Sequence, residues 1–141
     1  TVVDVLVSSA KRADEPGEIL ELVKFAGQCF DVCRNNRNSL AHSMTVEGRD
    51  DSTFWIRASR KSDYQQSQMK LKLEDLLRVS KEIASTATFI LKLQMHRNYA
   101  IRGGPGELTL PDRFPMPLKL KSREVNIAVE AKKFGWDLKH K

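Results

Sequence analysis

The sequence predicts an all-α fold, an antiparallel helical bundle carrying a short β-hairpin insertion and an extended C-terminal arm. Three observations carry that prediction. Two long stretches repeat apolar residues at steps of three and four, the period of one helix face. A polar segment followed by short alternating runs lies between them. Four of the five prolines then fall after the second stretch, where no helix continues.

The first element, residues 2–12 ("VVDVLVSSAKR"), reads as the end of a helix whose last turn carries Lys11 and Arg12, as the macrodipole prefers. Regular structure already starts at Thr1, so the natural start, and with it an earlier helix, is expected to precede it. "ADEPGE" breaks and restarts the chain, with Asp14 as an N-cap and Pro16 suited to a first helical turn. From there Ile19, Leu22, Val23, Ala26, Cys29, Phe30, Cys33, Leu40, Ala41 and Met44 mark one amphipathic helix over 16–44.

Residues 45–52, "TVEGRDDS", read as a polar turn. "TFWIRAS" and "SQMKLKL" then alternate apolar and polar residues around "RKSDYQQ", the pattern of a short hairpin. A second long helix is expected over 73–99, from Leu73, Leu76, Leu77, Ile83, Ile90, Leu91 and Met95. The stripes of the two helices are best buried by antiparallel packing, completed by the first helix and by a second chain. Domain organisation follows as a helical domain over 1–101 and a proline-rich arm with a basic tail over 102–141. The arm is expected to lie along the domain surface. Its "GGPGE" is not followed by Lys-Ser or Lys-Thr, which disfavours a phosphate-binding loop. The last stretch, "EVNIAVEAKKFGWDLKHK", is expected to form a short helix or strand that docks through Ile127, Phe134 and Trp136.

The chain has 141 residues, 40% hydrophobic and 30% charged, enough for a domain with its own core and too apolar for general disorder. No apolar run approaches the roughly 20 residues of a membrane span, so a soluble, cytoplasmic protein without a membrane partner is expected. The formal charge is +6, but seven Lys or Arg against three acids fall in 119–141, and the rest of the chain is nearly balanced. Such a tail reads first as a solvated, loosely electrostatic segment and only second as a dedicated nucleic-acid contact. Cys29 and Cys33, four apart on the apolar stripe, do not suit a disulfide and read as reduced core residues. No metal and no cofactor are expected.

"CRNNRNSLAHS", residues 33–43, ends the first long helix with a polar cluster. Along the stripe 26, 30, 33, 37, 40, 44, Arg37 occupies a place whose neighbours are apolar or small. Asn38 and His42, four apart, lie on one face within reach of its guanidinium. A purely structural reading is open too: an arginine favouring the helix C-terminus, and His42 capping carbonyls there.

The form Arg-Asn-x-Leu-Ala-His, Arg37 to His42, resembles the Arg-x(4 to 6)-His motif of the HEPN domains (higher eukaryotes and prokaryotes nucleotide-binding). The resemblance covers roughly residues 1–99 and includes the long helix before the motif, the short insertion and the second long helix. It implies an all-helical bundle, often a homodimer, and in many members a metal-independent ribonuclease. On that resemblance His42 is expected to transfer protons, Arg37 to hold the scissile phosphate, Asn38 to orient His42 or the substrate, and Arg34 to contact a neighbouring phosphate. Alternatives are a non-catalytic module that binds a nucleotide or a protein, and one half of a toxin-antitoxin pair whose arm wraps a cognate partner protein. Trp55 could stack a base, but packing against the helices is the expected role of an aromatic in a hairpin.

Overall fold

The computed structural model describes residues 2–13, 16–47, 50–58, 64–103 and 108–135. The expected cap Asp14, the glycines Gly104 and Gly106, and Trp136 lie outside the described residues. In chain order come α1 (Val2–Arg12), α2 (Gly17–Ala41), β1 (Met44–Glu47), β2 (Thr53–Ala58), β3 (Gln65–Leu71), α3 (Leu73–Arg102), β4 (Arg123–Asn126) and α4 (Ile127–Lys133). The strands form one antiparallel sheet in the order β1-β2-β3-β4.

The fold is therefore mixed α and β, which overturns the all-α expectation. β2 and β3 are the expected hairpin, and β4 with α4 takes up the last stretch, where a short helix or strand is expected; β1 is the strand that sequence reasoning missed. The reason is the shortness of the segment. Met44 also fits the helical stripe, and Val46 sits inside a polar run, so four residues show no period of their own. β4 has one apolar residue, Val125, and owes its conformation to pairing with β3 far earlier in the chain.

The chain divides into two compact units, Thr1–Asn35 with Arg78–Lys119, and Asn36–Leu77 with Leu120–Lys141. In the first, Ile19, Leu22, Val23, Ala26 and Cys29 of α2 bury against Ala10, Phe89 and Leu93. Phe25 meets Phe89 edge-on at 5.4 Å, and Cys33 meets Thr86 at 3.4 Å, so α3 runs back along α2 as the latter advances. Phe114 of the arm closes the aromatic cluster, 5.5 Å from Phe25 and 5.7 Å from Phe89, and Arg113 lies over the Phe25 ring at 5.4 Å.

An extended arm has no ladder of its own, so its backbone polar groups need other partners. Leu118 finds both on α3. Its N–H donates to Glu82 Oε1 at 3.3 Å, and its carbonyl accepts from Arg78 Nη1 at 3.2 Å, while the same arginine donates to Glu82 at 2.8 Å.

The second unit holds the sheet. β3 alternates, with Met69 and Leu71 buried and Lys70 exposed, so the Trp55–Met69 and Thr53–Leu71 rows mark the inner face. Lys70 Nζ donates to Asp50 Oδ2 at 2.7 Å and Ser52 Oγ to Asp50 Oδ1 at 2.6 Å, which pins the β1–β2 connection, where Asp51 has φ +54°. Lys72 opens α3: its N–H donates to Asp75 Oδ2 at 2.9 Å, half of a capping box. Asn126 caps α4, its Oδ1 accepting from the N–H groups of Ala128 at 3.0 Å and Val129 at 3.3 Å. That helix buries Ala128 and Ala131, whereas Phe134, expected to dock it, is 76% exposed. Small side chains carry this packing, and they leave little hydropathy signal.

The heptad-like steps 22, 26, 29, 33 lead next to Asn36, which is 1% exposed. Its Oδ1 accepts the Leu120 N–H at 2.9 Å. Replacement by alanine leaves that buried donor unpaired, and Asn36→Ala is expected to cost about 1–3 kcal/mol, read as a lowered urea midpoint with an unchanged slope.

Asp50 offers a second check. The hydrogen bond from Lys70, then that from Ser52, lowers its carboxyl pKa to about 2. A lowered folded-state pKa stabilises above the unfolded value of about 3.9 and loses that contribution as pH falls towards 2. An NMR titration is expected to place the Asp50 midpoint near 2 in the wild type and higher in Lys70→Ala, with the difference shrinking in salt.

Candidate functional site

α2 ends where its backbone pattern closes: His42 N–H donates to the Asn38 carbonyl at 3.1 Å and Ser43 N–H to the Leu40 carbonyl at 3.2 Å. The Ser43 hydroxyl donates to the Ser39 carbonyl. A serine therefore takes the capping task that the structural reading assigned to His42, and the His42 ring stands exposed just past the helix.

Arg37 is exposed as well. Asn36 takes the buried place to which the stripe assigns Arg37, and the next residue, turned about 100° from it, is the exposed one. Arg37 Nη1 donates to Asn38 Oδ1 at 3.1 Å. The half-buried Asn38 thus holds the guanidinium near the helix, and the side chain it touches is Arg37.

Arg34, expected to reach a neighbouring phosphate, is exposed and lies 3.1 Å from Asp31 Oδ1, its i−3 neighbour. That pairing was legible as spacing and was overlooked. Part of its charge is engaged before any substrate arrives. Arg37, Asn38 and His42 all belong to the second unit, Arg37 and His42 exposed and Asn38 half-buried. The grooves of the first unit are lined by other residues, Leu6, Val23, Phe30, Ile90 and Leu93 in one and Lys92, Met95 and His96 in another.

Chemically, the helix end presents a fixed cation, an amide that orients it, and an imidazole. A guanidinium matches two oxygens of a phosphodiester, and an exposed imidazole can give or take a proton there. The residue that sequence reasoning missed is Asn36, a positioning residue, whose only signal is the step of three from Cys33.

Among the described residues no three His, Cys, Asp or Glu side chains converge as a metal site. Cys29 and Cys33 are buried thiols. Cys29 Sγ lies 3.6 Å from Met116 Sδ, and burial first, then the neighbouring Cys33, pushes its thiol pKa up to about 11. Thiolate is the reactive form, so Cys29 is expected to resist a thiol-specific disulfide reagent at pH 8 in the folded protein and to react in denaturant. A fast Cys29 signal under native conditions, read by peptide mapping, contradicts this environment. No helix among the described residues is long and apolar enough to cross a membrane. The chain has no match among family models, curated proteins or solved structures.

Proposed function

We propose that the end of α2 is a phosphodiester site and that two copies of the chain, each contributing Arg37 and His42, cleave RNA without a metal. The observation that carries this reading is the joint exposure of Arg37 and His42, five residues apart at the end of α2, with Asn38 holding the arginine. The resemblance of Arg37 to His42 to the HEPN motif supports it. The four-stranded sheet lies outside what that resemblance describes, and the proposal rests on the helix end alone.

Internal cleavage needs the ribose 2′-hydroxyl to lose a proton as it attacks phosphorus, and the departing 5′-oxygen to gain one. The products are a 2′,3′-cyclic phosphate and a 5′-hydroxyl. One His42 serves one of these steps at a time, and a second copy supplies the other, which is the chemical reason for a homodimer. Arg37 neutralises the charge that builds on the non-bridging oxygens.

The rival reading is a module that holds a nucleotide or a phosphate-bearing partner without cutting it. The presence of one imidazole per helix end favours it if the chain is monomeric. Incubation of purified protein with mixed RNA in chelator separates the two. Cleavage ending in cyclic phosphate is expected, reduced about 10²- to 10⁴-fold in His42→Ala and strongly in Arg37→Ala, with Arg37→Lys a poor substitute. Arg34→Ala is expected to change the rate only a few-fold, because Asp31 already holds that side chain. Equal cutting by wild type and His42→Ala overturns the proposal.

A further inference from the structure

The sheet of the second unit has a second face. Side chains directly opposite across a ladder share a face, so one row reads Met44–Ile56–Gln68–Arg123 and the next Val46–Phe54–Lys70. None of these side chains is buried, and Met44 is 75% and Val46 50% exposed. The pattern differs from an ordinary solvated face. Apolar residues occupy its β1 and β2 side, an aromatic sits among them, and cations close the rows.

We infer that this face is a platform for single-stranded RNA, with Phe54 of β2 stacking a base and Lys70 and Arg123, on the next two strands, meeting the phosphates that lead away from it. The aromatic carries a cation already: Lys70 Nζ lies 5.9 Å from the Phe54 centroid. Stacking on an aromatic with flanking cations is how sheet surfaces take unpaired bases, whereas a duplex hides its base faces. Trp55, the aromatic singled out from sequence, belongs to the opposite row with buried Met69.

Charge favours this occupant over a second protein surface. The second unit carries thirteen Lys or Arg against nine Asp or Glu, and the described strand residues of this face include no acid. Among the described residues, Asp50 pairs with Lys70 at 2.7 Å, and Glu130 lies in the field of Arg123 while bonded to Lys133 at 2.8 Å. Both pairs are exposed, so a phosphate can compete for the cations at little cost. Continuity places the platform beside the candidate site, since Met44 follows His42 by two residues.

The inference rests on the RNA reading for the identity of the strand, yet binding can be measured apart from cleavage. The probe is a labelled oligouridine of about a dozen nucleotides, long enough for one such platform. It is titrated in chelator against the full chain carrying His42→Ala, with the oligouridine–oligoadenosine duplex as control. The single strand is expected to bind at least about tenfold tighter than the duplex. Phe54→Leu, which keeps apolar bulk but cannot stack, should weaken it about fivefold or more, and Phe54→Tyr should restore it. Lys70→Ala and Arg123→Ala should each flatten the salt dependence, by a slope of about 0.7 per lost phosphate contact. Circular dichroism of each variant checks the fold.

Equal binding of duplex and single strand overturns the platform, as does wild-type affinity in Phe54→Leu. Sedimentation showing the face buried in a self-complex that excludes the oligonucleotide overturns it too. Phe54-dependent binding alongside an uncut substrate in the wild type leaves the platform standing and removes the ribonuclease.

Discussion

Asn36 decides how the last turns of α2 face. Its amide oxygen is needed inside, where it receives the Leu120 N–H at 2.9 Å, and a helix turns about 100° per residue. With Asn36 held inward, Arg37 is the residue turned outward, and His42 beyond it is exposed too. The same bond anchors the chain at Leu120, three residues before β4 begins. A single buried amide therefore ties the direction of the candidate site to the segment that completes the sheet. An apolar side chain of similar size could fill the space but could not accept the bond, and the buried donor would then stand unpaired.

The two long helices were legible because their apolar stripes run for many turns, and α2 and α3 fall at Gly17–Ala41 and Leu73–Arg102, close to the expected limits. Legibility fell off at short elements, where the last stretch reads as a helix or a strand with nothing to choose between them. β1 and β4 have four residues each, too few for a period to declare itself, and both depend on neighbours supplied from elsewhere. α4 packs through Ala128 and Ala131, whose small side chains weigh little in any pattern, while the conspicuous Phe134 remains outside. The cluster Arg37, Asn38 and His42 could be located from spacing, but its orientation could not. Sequence periodicity treats a polar residue as an interruption of the stripe, so Asn36 was passed over in favour of a register that put the arginine inside. Whether Asn38 meets Arg37 or His42, and whether Ser43 or His42 takes the cap, is settled by local geometry that no spacing rule contains.

The sheet separates its two aromatics by alternation alone. Phe54 and Trp55 are adjacent in sequence, and a pleated strand sends them to opposite sides. Trp55 joins the row of Met69, and Phe54 joins the row of Val46 and Lys70. Both are large aromatics, so register tells which face each one takes. A shift of one residue in β2 would exchange their roles, and with them the chemical character of both faces. The ladders to β1 on one side and β3 on the other fix that register.

β4 reaches its place from beyond α3 and the arm, although the strand it pairs with, β3, precedes both. On a ribosome the last ladder must therefore wait until the proline-rich stretch has left the exit tunnel, and a three-membered meander is what the cellular environment meets in the interval. Its open margin is Gln65–Gln68, a run without a large apolar side chain, which makes a poor template for hydrophobic capture during the delay.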